Sequence, residues 1–382
     1  MKLSYGLGSI ATTAGSIALL LASAACSSST SGPSTGGGGS TVGEPPPAPT
    51  GASASTIAAS HNYALHKLYL GDTDRTGATD GNAWKSFGYN LDGKVTTDSS
   101  TDVCQLAPGA SKSNQVDGNS GIDNSFGSNI MQLILTVAPT ASQTLNTDLQ
   151  GGSFSIFTYV TGFNDAAGNK TTATGLKGVL LAGGKLVDDA GAPVTPTWDK
   201  NTNWPVLPDL VQGCTSTGGC PAGTDPVAKA SVQFPSAFQT NGTFVNGTPA
   251  ALTLSLSIGG QSLSLNIASA VITFDPAAPG SVTNGTIAGV LDTTELINGL
   301  RSVAGNISPS LCAGSAFDSI ASSIQQASDI QLDNGKVANN AGSPCNAISI
   351  GLGFDSSEIA APSEIAPGSP PAPSKCADAG TD

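Results

Sequence analysis

Asp72-x-Asp74-x-Thr76-Gly77-x-x-Asp80 sets oxygen-bearing side chains at alternate positions around a glycine turn. Calcium collects about six to eight such oxygens, and the spacing matches the first half of an EF-hand loop. The twelfth position is Ala83, which has no carboxylate to close the coordination shell. An EF-hand is therefore excluded, and a looser calcium loop is the chemistry these residues support. Asp117-x-Asn119-x-x-x-Asp123 is a second oxygen-rich turn with a weaker spacing match. The competing account needs no ion, because Asp and Asn also build turns by capping nearby backbone amides.

Trp198 and Trp204 sit in the polar stretch Pro196-Thr-Trp-Asp-Lys-Asn-Thr-Asn-Trp-Pro205. Such tryptophans stack on sugar rings in carbohydrate-binding modules, whereas a loop tryptophan more commonly plugs the edge of a core. The two histidines, His61 and His66, are five apart. On a strand they point to opposite faces, so they read as strand-face residues and not as a shared zinc site. Gly32-Pro-Ser-Thr-Gly36 is the one Gly-x-Ser-x-Gly match, and it lacks the strand and helix a nucleophile elbow requires. Phosphate-binding glycine loops are absent, and no carboxylate pair is singled out for glycosidic cleavage.

Composition narrows the partners. Fourteen basic and 27 acidic side chains give a formal net charge of −13, with no basic cluster, so nucleic acid is not expected as a partner. Only 11% of residues are charged, while 48 glycines and 24 prolines punctuate the chain. That balance points to many short strands joined by turns.

The N-terminal residues read as an address. Met1-Lys2 and the apolar run Ser16–Ala25 form a signal peptide over residues 1–25, too short to span a bilayer. Ala24-Ala25-Cys26 fits a lipobox, although Ser23 stands where leucine is preferred. Cys26 is thus the expected lipidation site, and cleavage after Ala24 to a secreted soluble protein is the alternative. Ser27, in place of aspartate, directs a Gram-negative lipoprotein to the outer membrane. Residues 26–56, rich in Ser, Gly and Pro, are expected to be a flexible stalk. The globular domain is placed at 57–361 and a Pro-rich tail at 362–382.

With Cys26 lipidated, six cysteines remain to close three bridges. A small loop pairs Cys214 with Cys220. Joining Cys312 to Cys345 clamps a helical layer to a sheet, and Cys104 with Cys376 follows by elimination. This is one scheme among the many that six cysteines allow.

Strands are expected at Tyr63–Leu70, Phe87–Gly93 and Phe154–Val160, with a hairpin joining Val179–Ala182 to Lys185–Val187. The firmest local argument concerns Leu252–Ile267. A two-residue turn at Gly259-Gly260 sets Leu252, Leu254 and Leu256 opposite Ile267, Leu265 and Leu263. The apolar positions change parity after Ala268, which calls for a bulge. Thr286–Leu291 and Cys345–Phe354 continue the strand pattern. Asp292 with Glu295 starts a helix bearing Leu296, Ile297, Leu300 and Val303, and Phe317, Ile320, Ile324 and Ala327 mark a second. Ile130–Val137 fits helix or buried strand equally well.

Asp117–Gly127 and Cys345–Phe354 resemble segments of exported lipoproteins of high-GC Gram-negative bacteria that carry no assigned activity. The resemblance covers most of the chain beyond the stalk and transfers no catalytic residue. The expected architecture is mainly β: a disulfide-stabilised, sandwich-like domain with two short helices near its C-terminal third. The expected function is a non-catalytic lipoprotein anchored in the lipid membrane, structural or ligand-binding, facing a glycan or cell-surface partner. A calcium-dependent carbohydrate-binding module and a secreted hydrolase are the alternatives.

Overall fold

The computed structural model describes residues 43–258, 261–307 and 315–368. Strand β1 (Ser60–Tyr69) is followed by helices α1 (Met131–Val137) and α2 (Ala141–Gln150). Then come β2 (Ser155–Thr161), β3 (Ala173–Gly183), β4 (Val232–Thr240), β5 (Thr243–Val245), β6 (Ala250–Ile258), β7 (Gln261–Pro276) and β8 (Ser281–Asp292). Helices α3 (Thr293–Ile307) and α4 (Ser315–Gln326) lead to a small ribbon, β9 (Gln331–Asp333) and β10 (Lys336–Ala338), and to the last strand, β11 (Ala347–Ile359). The chain is mainly β, as its composition implies, and α1 and α2 add two helices to the expected pair.

The sheet closes on itself, which corrects the expected sandwich. Its order is β5-β4-β3-β2-β1-β11-β8-β7, and β5 then pairs with β7 through Phe244↔Phe274 and Val245↔Thr273. The result is an eight-stranded antiparallel barrel, with β6 lying beside the first half of β7. The expected register of β6 on β7 is present: Leu252↔Ile267, Leu254↔Leu265 and Leu256↔Leu263. The Gly259-Gly260 turn itself lies outside the described residues. Pairing shifts between Ala268 and Val271, where Ser269 takes a φ of 51°. This bulge moves Ala270, Ile272 and Phe274 onto the buried face and swings the second half of β7 toward β5.

Aromatic rings fill the interior. Phe244 and Phe274 stack at 4.5 Å, and Phe163 meets Phe274 edge-on at 5.4 Å. Tyr63 and Phe354 approach Phe274 at 5.7 and 6.3 Å. Such offset and edge-to-face contacts add to the stabilisation that burial itself provides. Leu145 and Leu149 of α2, Leu296 and Ile297 of α3, and Phe317 and Ile324 of α4 join the same core. An amphipathic face thus fixes each helix to the barrel. At the start of α3, Glu295 N–H donates to Asp292 Oδ1 at 2.9 Å, while the Glu295 carboxylate accepts from Asn266. Asp292 is therefore a simple N-cap. Asp292→Ala is expected to cost about 1 kcal/mol in urea denaturation, and Asp292→Asn to recover most of it.

Several local expectations are corrected. Phe87–Gly93 is irregular: the Phe87 ring stacks on Tyr69 at 5.7 Å and lies over the sheet without joining it. Val179–Ala182 belongs to β3 and pairs with β2, so Lys185–Val187 makes no hairpin with it. Order begins before residue 57. Asn90 N–H donates to Gly43 O, and Ser55 Oγ donates to Gly162 O at 2.6 Å, so residues 43–56 of the expected stalk rest on the barrel. At the other end Val206 N–H donates to Glu364 O and Ala366 N–H to Val206 O, tying down the beginning of the tail.

Cys214 is bonded to Cys220, and Cys104 is bonded to Cys345. The second bond replaces both the Cys312–Cys345 and the Cys104–Cys376 pairings. It clamps a loop, not the helical layer, to the entry of β11. Cys26, Cys312 and Cys376 lie outside the described residues.

Candidate functional site

In the first oxygen-rich loop Asp74 and Asp80 spend side-chain oxygens on the loop itself, whereas Asp72 Oδ1 is buried without a hydrogen-bond partner among the described residues. Asp74 Oδ1 accepts from Thr76 N, Thr76 Oγ1 and Ala78 N at 2.8, 2.6 and 3.1 Å. These bonds, the Thr76 hydroxyl foremost, hold the Asp74 carboxyl below the usual carboxylate range. Asp80 Oδ1 accepts from Asn82 N–H, and Asp80 N–H donates to Asp72 O, closing the turn. Asp72, Asp74 and Asp80 do not gather their carboxylates into a common cluster, and Thr76 is exposed.

The second loop is different, because it is buried. Asp117 Oδ2 accepts from Thr96 N–H and Asp123 Oδ2 from Leu91 N–H, at 2.5 and 2.6 Å. Burial raises both carboxyls above the carboxylate range, and neighbouring Asp92 adds to the effect. Asn119 turns away to Ser86. Asp329, fully enclosed nearby, receives Ser349 N–H and Ser349 Oγ–H, yet burial pushes it up to about 7. The three aspartates form a buried group tied to the Thr96, Leu91 and Ser349 amides.

Trp204 is fully buried, edge-on to Phe157 at 5.8 Å, and its Nε1–H donates to Gly184 O. It plugs the outer core between the barrel and the 184–230 segment, which removes it from the ligand-binding candidates. Trp198 is half-buried, 5.7 Å from Trp204 and 5.6 Å from the outward-facing His66. The His66 Nδ1 lies 3.3 Å from Ser357 Oγ, and burial lowers its pKa.

The best-formed cluster is one the sequence reading passed over. Among the described residues, His61, Asp165 and Glu358 are the one set of three His, Cys, Asp or Glu side chains whose ligand atoms lie within 4.8 Å of one another. His61 Nδ1 is 3.0 Å from Glu358 Oε1 and 3.7 Å from Asp165 Oδ2. Lys200 Nζ, from an exposed side chain, meets Glu358 Oε1 at 2.9 Å. Strand register explains the meeting: Tyr63 pairs with Glu358 across β1–β11, and His61 pairs with Val160 across β1–β2. Opposite residues share a face, and Tyr63 and Val160 belong to the interior core, so His61 and Glu358 point inward at the barrel's rim. Asp165 arrives from the loop just beyond β2. Tyr63 stacks beneath His61 at 5.8 Å, with 12° between the rings. Its buried hydroxyl and Glu358 Oε2 have no hydrogen-bond partner among the described residues. Burial, with the charges of Asp165 and Glu358, keeps the phenol protonated far above its usual range.

The sequence shows His61 only as a strand-face residue because its partners lie far away along the chain: Glu358 is 297 residues distant. An inward-pointing histidine at the start of an otherwise apolar strand face was the available signal.

No helix among the described residues is long and apolar enough to cross a membrane. Set against family models, curated proteins and solved structures, the chain finds no match in any of the three.

Proposed function

We propose that this chain is an exported lipoprotein, anchored through Cys26, that displays a non-catalytic, ligand-binding β-barrel at the outer membrane surface. The pair of disulfides, Cys104–Cys345 and Cys214–Cys220, carries this reading, since such bonds form and persist in oxidising compartments. The Ser/Gly/Pro-rich residues that follow Cys26 supply the tether. The burial of Trp204, and the use of Asp74 by its own turn, favour this reading over calcium-dependent glycan binding. The barrel interior holds packed aromatic side chains, so a ligand would meet the rim and the outer face.

The test is fractionation of bacteria expressing the chain with a periplasmic or surface-exposed reporter epitope. The native protein is expected in the detergent-soluble membrane fraction and Cys26→Ala in the aqueous one. Unchanged membrane association of the variant would remove the anchor.

A further inference from the structure

We propose that His61, Asp165 and Glu358 bind one divalent transition-metal ion of the zinc class at the rim of the barrel. The inference is independent of how the chain is anchored.

The distances fit. Zinc lies about 2.0–2.2 Å from nitrogen and oxygen ligands, so tetrahedral neighbours stand about 3.4 Å apart. The separations of His61 Nδ1 from its two carboxylate oxygens, 3.0 and 3.7 Å, bracket that value. Charge fits as well, because two carboxylates and a neutral imidazole balance a divalent ion. The imidazole selects the zinc class over calcium and magnesium, which take oxygen ligands.

A second, independent observation points to an occupant. Glu358 is 4% exposed and Tyr63 1% exposed, yet Glu358 Oε2 and the Tyr63 hydroxyl lack partners. Buried polar atoms without partners are costly, and few occur in native folds. An ion held by both oxygens of Glu358 would give Oε2 the partner it lacks. Its bound water, or the realigned carboxylates, would give the phenol an acceptor.

Lys200 fills the position in the meantime. Its ammonium sits on Glu358 Oε1, but its side chain is 68% exposed and reaches in from a loop. A flexible lysine at a rim is easily displaced. Asp165, 37% exposed, leaves an entry path from solvent. Metal and ammonium therefore compete for one oxygen, and this competition gives the proposal its sharpest test.

The measurement is isothermal titration of zinc chloride into the chelator-stripped full chain in detergent, repeated with cobalt(II) to record its visible spectrum. One equivalent is expected to bind, with the intense cobalt bands of a low-coordinate site. Asp165→Asn and Glu358→Gln, which keep size and shape, are each expected to weaken binding by about tenfold or more. Lys200→Gln is expected to strengthen it, because the competitor is gone. His61→Gln should abolish the cobalt spectrum, and circular dichroism would show whether that variant still folds. The absence of one-equivalent zinc binding overturns the proposal. So does binding indifferent to both Asp165→Asn and Glu358→Gln, binding weakened by Lys200→Gln, or calcium binding in preference to zinc.

Discussion

Cys104→Ser combined with Cys345→Ser is expected to lower the stability of the domain by about 2–5 kcal/mol in urea denaturation. The bonded cysteines are 241 residues apart, and chain-entropy arguments place the ceiling for so long a loop near 5 kcal/mol. The bond also organises its surroundings. Gln105 N–H donates to Ser343 O, and Cys345 N–H donates to Gln105 O, so the loop runs beside the entry to β11 as an extra edge. Gln115 Nε2 donates to Cys104 O and Asp329 O, linking the cystine to the buried aspartates. The other bond offers a control. Cys214 and Cys220 are only six apart, and the same arithmetic allows about 2 kcal/mol for their removal. Equal losses from the two double variants would show that loop length does not govern the effect here.

The melting temperature is expected to fall as pH rises from about 4.5 to about 8.5. In the unfolded chain, aspartates release their protons near pH 4. In the folded chain Asp329 does so at about 7, and Asp117 and Asp123 are also raised. Between those limits the native state holds more protons than the unfolded state, so stability declines with pH. The contribution is fully present below the unfolded value and is lost as pH passes through the folded one. Burial is the main cause, and it outweighs the two Ser349 hydrogen bonds that favour the charged form of Asp329. The group is enclosed, so the expected loss is on the order of a few kcal/mol. Asp329→Asn should make the profile shallower, because an amide does not titrate while Asp117 and Asp123 still do. A profile that rises over this interval, or one left unchanged by Asp329→Asn, would contradict the account.

Some of this was legible in the residues and some was not. The β6–β7 register could be read because a period-two pattern and a turn specify the same pairing. Helices α3 and α4 could be read because Leu296, Ile297, Phe317 and Ile324 recur at helical spacing. Barrel closure could not, since it depends on the three-residue β5 and on a bend at Ser269. The sandwich expectation failed for the same reason: alternation along a strand is identical in both architectures. The loops were half legible. Asp74 builds a turn, as its residue type suggests, but the sequence of Asp117 and Asp123 does not reveal their enclosure near the Cys104–Cys345 bond. The pairing of His61 with Glu358 needed the whole topology.

The adjacency of β1 and β11 also sets a timetable. At roughly 5–20 residues per second, the 297 residues from His61 to Glu358 take about 15–60 s to synthesise. Until β11 emerges, β1 lacks one neighbour, the ring stays open, and Tyr63, Leu65 and Leu68 remain wet. Because loop-closure entropy opposes such distant contacts until they form, the nascent chain has little to gain from folding early. The strands made first therefore wait for their last partner, and closure of the ring follows synthesis of β11. The strand order that seats β11 between β1 and β8 thus makes the most C-terminal strand the one that completes the barrel.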